Sequence, residues 1–364
     1  MNLLNATPYP ASYTLGLDPD GREHLVIVVK GTFQIPSSGG IAPLHEVQEP
    51  LVLADTFTGA PGESAAEYEC DFAPTKPACD VLLLGSAYAP HGRPAKQVPV
   101  ALRVGEMTKH FEVVGKRYWT PGVGGGLSPS APEPFTVLPI SYDVAFGGGL
   151  PVRDDADPAD VYRQNPVGRG HFARSKTAFG QWLPHTQESG RPVLTPHASY
   201  RPMSFGPVGR NFAERLRYAG TYDEQWIEEH FPFLPPDFDP HYYQAAPPDQ
   251  WIPYPQGGEQ VQLLHLTLDP LPPFELPDLT LPVELTSDRY VRTERNATAD
   301  TLLFEPDASR FTVVWRLSQP LQRNIRDYPQ AIVGRMPRGW YRARARGKTY
   351  YPSLRHLAAA NRER

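Results

Sequence analysis

The side chains that could do chemistry concentrate between Ala219 and Gln250, in a segment rich in aromatics, carboxylates and prolines. Within it, Asp237, Asp239 and His241 alternate, so an extended chain would place all three on one side. Carboxylate and imidazole groups ligate divalent ions. However, aspartate next to proline is ordinary turn chemistry, and the sequence offers no second ligand cluster. We therefore expect turns here, and neither a metal nor another cofactor.

The same segment contains candidate acid and base groups for glycoside hydrolysis, which uses a pair of carboxylates. Tyr222 and Trp226 lie beside them and could stack on a sugar. The carboxylates are Asp223, Glu224, Glu228 and Glu229. A helix explains these carboxylates without catalysis. Thr221 and Glu224 match a capping box, and the negative charge of Asp223 suits the positive start of a helix. Glu228 and Glu229 are typical of the solvent-exposed face of a helix. We predict no catalytic residue, and a carbohydrate-active or other β-fold enzyme is the alternative.

Other nucleophile, metal and nucleotide motifs are missing from the sequence. There is no G-x-S-x-G elbow, no H-E-x-x-H pair and no P-loop. The glycines of "GVGGG" and "AFGGGLP" do not match the dinucleotide-binding fingerprint and suit turns. Cys70 and Cys79 fit no zinc or redox spacing and have no evident histidine partner. We expect two free thiols, as in a reducing cytoplasm.

Aromatic residues are the remaining candidates, because they dominate the hot spots of protein interfaces. Some should fill the space between a loop and a sheet, and we expect Trp226 and Phe238 to pack inward. The tyrosines have polar tips and suit an exposed face. We predict that this segment forms or supports a partner-binding surface made of Tyr222, Trp226, Phe231, Phe233, Phe238, Tyr242 and Tyr243.

Charge and hydropathy exclude several classes of partner. The net charge is −5, which argues against general nucleic-acid binding. No apolar run approaches the roughly 20 residues that span a bilayer, and the first residues lack a secretory signal. We therefore expect a cytoplasmic protein that binds neither nucleic acid nor membrane. The region from Arg335 to Arg364 differs, with nine Lys or Arg and one Glu, and is either a solvated tail or a dock for an acidic surface.

The scaffold that positions these residues is predicted to be mostly β. The chain has 43 prolines among 364 residues, and proline interrupts helices and central strands. Strands are indicated by "HLVIVVKGTFQI" at 24–35 and "DVLLLGSAYAP" at 80–90, and a hairpin by "VPVALRV" and "KHFEVVGKRYW" around "GEMT". We predict a large antiparallel sheet or sandwich-like assembly with long Pro/Gly-rich loops and a few short helices.

Two further strand patterns define predicted inward faces. A hairpin turns at Pro306 and Asp307, and one face of its second arm contains Phe311, Val313, Trp315 and Leu317. In "VQLLHLTLD", alternation places on one face Leu264, Leu266 and Leu268. Helical signals are few: "NFAERLRYAG" groups Phe212, Leu216 and Ala219, and "SLRHLAAANRER" has Ser353 as a cap.

Several segments resemble, in the same order, the bacterial family catalogued as domain of unknown function 2169, whose members are encoded beside type VI secretion genes. They are "HLVIVVKGTFQIP", "CDFAPTKPACDVLLLGSAYAPHGRP", "PFTVLPISYDVAFGGG", "NPVGRG", "SFGPVGRNFAERLRYAGTYDEQWIEEHFPFLPPDFDPHYYQAAPPDQ" and "DTLLFEPDASRFTVVWRLSQPL". The resemblance spans about residues 1–335, and the segment from Ala219 to Gln250 is its most distinctive part.

The resemblance implies a non-catalytic adaptor or chaperone. Such a protein binds a toxin effector in the cytoplasm and helps to load it onto the secretion spike, a VgrG trimer tipped by a PAAR protein. Residues 1–335 would form the β-rich effector-adaptor domain, and 336–364 a basic tail with a short helix. The glycine-rich stretch at 121–134 is a candidate split between two sub-domains, although the resemblance crosses it and favours one assembly. A structural component of the secretion apparatus is a further alternative.

Overall fold

The computed structural model describes residues 1–18, 20–122, 126–149, 161–173 and 175–362. The glycine-rich stretch at 121–134, the candidate split between two sub-domains, therefore lies partly outside the described residues. The strands are β1 (Asn2–Asn5), β2 (Ala11–Leu17), β3 (Glu23–Gln34), β4 (Gly40–Ile41), β5 (Cys79–Leu83), β6 (Gly85–Tyr88), β7 (Gln97–Val104), β8 (Met107–Val114), β9 (Trp119–Pro121), β10 (Leu127–Pro129), β11 (Val137–Ile140), β12 (Phe146–Gly147), β13 (Arg169–Gly170), β14 (Thr186–Gln187), β15 (Trp251–Ile252), β16 (Gln260–Leu264), β17 (Phe274–Glu275), β18 (Leu281–Thr286), β19 (Arg292–Glu305), β20 (Arg310–Pro320) and β21 (Gln330–Val333). The helices are α1 (Ser175–Ala178), α2 (Ala213–Leu216), α3 (Glu224–Glu229), α4 (Arg338–Ala345) and α5 (Leu354–Arg362).

The larger sheet has nine strands within the described residues. Its order is β1-β21-β18-β19-β20-β3-β2, with β5 beside β19 and β15 beside β5. Most pairs are antiparallel, whereas β1 with β21 and β5 with β19 are parallel. The predicted hairpin at Pro306 is confirmed: Ser309, with φ 54°, completes the turn between β19 and β20. Phe311, Val313, Trp315 and Leu317 all face the main core, as predicted.

The second sheet contains six of the described strands, in the order β14-β8-β7-β16-β17-β4. The predicted hairpin of β7 and β8 is confirmed, and it turns at Gly105, whose φ of 58° suits a residue without a Cβ. Alternate residues of β7 are buried because only one face of this sheet packs inward. One hydrophobic cluster contains these residues together with those of the larger sheet, including Val100, Leu102, Val29 and Trp315. The prediction of a mostly β fold built from large sheets is therefore confirmed.

Two strand predictions are corrected by the way the chain bends. The predicted common face of Leu264, Leu266 and Leu268 is wrong, because β16 ends at Leu264 and His265 has a φ of 54°. Val261 and Leu263 face the core instead; Leu266 is buried, and Leu264 and Leu268 are 46% and 68% exposed. The predicted single strand at 80–90 is two strands, since β5 joins the larger sheet and β6 pairs with β11.

The helices are short, and two details of their prediction are wrong. Leu216 of α2 is 51% exposed while Arg215 is buried, so the predicted apolar side is only partly formed. The N-cap of α3 is Asp223 and not Thr221. At α5, the Ser353 hydroxyl accepts a hydrogen bond from the His356 amide at 3.4 Å, as the predicted cap requires. Among the described residues, no helix has the length and apolar character needed to cross a membrane.

Candidate protein-binding site

The aromatic segment divides into two parts that the structure treats differently. We call residues 221–234, which include α3, the knob, and residues 235–252, which return to the sheets, the return loop. No described side chain of the knob is buried, whereas the return loop contains several buried positions. Of the seven aromatics predicted at this site, four lie in the knob and three in the return loop.

The knob is folded by its own short-range contacts. The Asp223 carboxylate accepts a hydrogen bond from the Trp226 amide at 2.9 Å and so begins α3. The Trp226 indole donates to the Phe233 carbonyl at 2.9 Å, and its ring meets those of Tyr222 and Phe231 edge to face, at 4.7 and 5.7 Å. Trp226 was expected to pack inward; it is instead only partly buried, and these contacts are with both ends of the knob.

A pair of contacts fixes the base of the knob. The Thr221 amide and hydroxyl donate to the two Asp237 oxygens at 2.9 and 2.7 Å, and these hydrogen bonds lower the pKa of the Asp237 carboxyl. The Phe233 ring lies against Gly21 in the turn between β2 and β3, where an added Cβ would come within 2.8 Å of the ring. These contacts hold the base of the knob against the rest of the protein.

The outer side of the knob presents large apolar side chains to solvent. The exposed fractions are 53% for Tyr222, 61% for Ile227, 65% for Phe231 and 46% for Phe233. Ile227 was not among the predicted site residues; the signal that could have found it is its position between Trp226 and the charged pair Glu228 and Glu229 on a short helix. Clustered exposed aromatics and aliphatics of this kind are typical of interaction surfaces.

The three aromatics of the return loop lie deeper. Phe238 is buried, as predicted, and its ring packs on those of Tyr242 and Tyr243 at 5.9 and 5.4 Å. These two tyrosines are half-buried, although we expected them to be exposed. The Tyr242 ring lies 5.4 Å from the Arg215 guanidinium, which also donates two hydrogen bonds to the Tyr242 carbonyl.

Asp80 ties the return loop to the core. Its fully buried carboxylate accepts hydrogen bonds from the Gln244 side chain and from the amides of Ala245 and Ala246, at 2.8, 2.8 and 3.1 Å. It also pairs with Lys76 at 2.7 Å. Farther along, the buried Gln250 side chain donates to the Phe205 carbonyl at 3.0 Å. These anchors could not be predicted from the sequence, because all their partners except Lys76 lie far away in the chain.

The candidate chemical groups do not converge. Asp237 binds Thr221, whereas Asp239 accepts from the His241 ring at 2.6 Å, and His241 stacks on Trp251 at 5.1 Å. The described part of the chain contains no group of three or more His, Cys, Asp or Glu side chains that could hold a metal ion. Asp223 is used as a helix cap. The other three candidate carboxylates are exposed on α3, and one of them accepts from Gln225; they are Glu224, Glu228 and Glu229.

The two cysteines are free thiols in the structure. Cys79 is fully buried in β5, and Cys70 is half-buried. Burial raises the pKa of both thiols, which disfavours the reactive thiolate.

The comparison with protein families gives a match that covers most of the chain. The model of a family described as an uncharacterized protein conserved in bacteria, DUF2169, matches residues 20–316. The chain belongs to this family. The match includes the second sheet, most of the larger sheet, the knob and the return loop. It leaves out β1, β2 and β21 of the larger sheet, and it ends before α4 and α5. The search of curated proteins and the search of solved structures each found no match.

Proposed function

We propose that this protein is a non-catalytic adaptor of the type VI secretion system. In the cytoplasm it binds a toxin effector and helps to load it onto the VgrG or PAAR spike protein. The proposal draws on the family resemblance, and the observation that carries it is the exposed apolar surface of the knob. That surface has Tyr222, Ile227 and Phe231 at its outer side, each more than half exposed.

The construction of the knob suits recognition of a protein. Leaving large apolar groups in water is unfavourable, and burying them against a partner recovers roughly 25 cal/mol per Å² of apolar surface. Aromatic side chains supply such area with little loss of conformational entropy. The Asp223 cap and the contacts of Trp226 order the knob in advance, which lowers the entropic cost of binding.

The position of the knob also favours a binding role. The Thr221–Asp237 contact and the packing of Phe233 on Gly21 fix the knob on the protein without burying its outer face. The candidate carboxylates of the knob cap α3 or face solvent, so they are not arranged as a pair around a cleft. A surface that is fixed in place and apolar, with no paired catalytic groups, is what an adaptor requires.

The test is co-expression of the full chain with a toxin encoded beside its gene, followed by size-exclusion chromatography. The proposal predicts one co-eluting complex, with the toxin less soluble when it is expressed alone. Each neighbouring gene product is tested in turn. If every one of them elutes separately from a well-folded chain, the adaptor proposal fails.

A further inference from the structure

A cavity of about 540 Å³ opens where β8, α2 and the loop that carries Arg201 meet. Its charged lining consists of Lys109, Arg191, Arg201, Glu214 and Arg217. A volume of this size is in the range of small-ligand pockets. Neither the knob nor the return-loop aromatics line it.

Lys109 supplies a buried cation at this cavity. It lies on β8 and is only 4% exposed. Its ammonium group donates to the Gln250 side chain at 2.6 Å and to the Asp249 carboxylate at 3.3 Å. Burial lowers the pKa of Lys109 to about 8, so it is mainly charged at neutral pH. Since an ammonium group has three protons, a third donor remains for a ligand.

The cations around this cavity outnumber the carboxylates that pair with them. Asp249 pairs with Lys109 and also with Arg201, at 2.8 Å, so one carboxylate serves two cations. Arg217 makes no ion pair with any carboxylate among the described residues; its guanidinium lies 4.6 Å from the Tyr218 ring and donates to the Tyr218 hydroxyl. Arginine donors with unused capacity are suited to binding a carboxylate.

Glu214 is an unused acceptor in the same lining. Its side chain is half-buried and makes no hydrogen bond or ion pair within the part of the chain that the structure describes. Burial raises the pKa of its carboxyl, against the opposing influence of Lys109, Arg217 and Arg201. A half-buried carboxylate without a partner is unfavourable. The cavity thus offers free donors and a free acceptor together.

We propose that this cavity binds a short peptide segment through its carboxylate. Lys109, Arg201 and Arg217 hold the carboxylate, and Glu214 accepts a hydrogen bond from an N–H group of the same segment. An inorganic dianion such as phosphate fits less well, because it brings negative charge beside Glu214 without an N–H group that donates to this carboxylate. This inference goes beyond the adaptor role and does not depend on it, since free peptides test it without any partner protein.

The experiment titrates the full chain with triglutamate and follows binding by calorimetry. We expect a dissociation constant in the range of about 1 mM, which increases with added salt. Two further peptides show which carboxylate binds. Amidated triglutamate has only side-chain carboxylates, whereas triglutamine with a free C-terminus has only the terminal carboxylate. Amidated triglutamine has neither, and we expect it not to bind.

Substitutions of cavity residues test whether triglutamate binds in this cavity. Arg201→Gln and Arg217→Gln should each weaken triglutamate binding about fivefold, the effect of one charge-assisted contact. Arg93→Gln, which changes an exposed arginine outside the cavity, should leave it unchanged. The proposal is overturned if folded wild-type protein shows no saturable binding, if inorganic phosphate binds as tightly as triglutamate, or if both cavity variants retain wild-type affinity.

Discussion

The knob and the return loop have similar compositions, but the knob is exposed and much of the return loop is buried. Both contain aromatics, carboxylates and prolines within one continuous segment. The carboxylate of Asp223 in the knob caps a local helix, whereas the amides of Ala245 and Ala246 in the return loop reach the buried Asp80. Aromatic content therefore indicates that a segment makes contacts, but it does not tell whether the aromatic residues lie in the core or at the surface. A polar anchor supplied by a distant strand decides which half is buried.

The largest expected effect is on the anchor of the return loop. Asp80→Ala leaves Lys76 without its ion-pair partner and removes the acceptor for Gln244 and two amides. Removing one member of a buried pair costs about 3–5 kcal/mol of unfolding free energy. Chemical denaturation of the variant and the wild type measures this loss of unfolding free energy. The matched change is Asp237→Ala, which removes the exposed acceptor of Thr221 at the base of the knob. We expect it to leave the unfolding midpoint nearly unchanged, and equal losses in the two variants would contradict the comparison.

The next largest effect is the difference in unfolding free energy between losing an aromatic side chain of the return loop and losing one of the knob. Phe238→Ala empties a buried position and should lower the unfolding free energy by roughly 3 kcal/mol. Tyr222→Ala removes a ring that is 53% exposed and should change it by less than about 1 kcal/mol. Thermal and denaturant unfolding of both variants provide the measurement. A larger loss for Tyr222→Ala would mean that the knob belongs to the core.

Hydrogen exchange compares the two parts without mutation. The knob has few buried contacts, so its amides should open locally, whereas those of Ala245 and Ala246 are held by Asp80. We expect exchange in α3 to be about a hundredfold faster or more than at these two amides. Mass spectrometry of overlapping peptic peptides resolves both regions. Equal protection would show that they unfold as one unit.

The smallest effect concerns the cap of α3. Asp223→Ala removes the acceptor for the Trp226 amide and should destabilise the helix by about 1 kcal/mol. The change should raise hydrogen exchange in α3 and leave the return loop unaffected. Thr221→Val tests the rejected cap assignment, because Thr221 bonds to Asp237 instead. Loss of α3 in Thr221→Val, with α3 retained in Asp223→Ala, would reverse the assignment.

Much of the fold could be predicted from the sequence because its signals are local. The β-branched run of β3 and the two hairpins at Gly105 and Pro306 depend on nearby residues, and the structure places them as expected. The predicted face of Leu264 failed because the chain bends at His265, and alternation carries no information about a bend.

The site was less predictable because its decisive contacts are long-range. Thr221 fits a capping box by spacing, but Asp237, sixteen residues later, takes its hydroxyl. Asp80 reads as the start of a strand, and its partners Gln244 and Ala245 are more than 160 residues away. The cavity at Lys109 depends on Arg201 and Glu214, which no local motif connects.

The most direct test of the adaptor proposal is the affinity of the co-purified toxin for a knob variant. Tyr222→Ala combined with Ile227→Ala should weaken binding at least tenfold, because exposed aromatic and aliphatic anchors dominate interface energetics. Its matched control combines Leu53→Ala and Leu268→Ala, which remove exposed leucines outside the knob. Weakened binding in the first variant alone is the predicted result. Wild-type affinity in a folded knob variant would contradict the claim that the knob is the partner-binding surface.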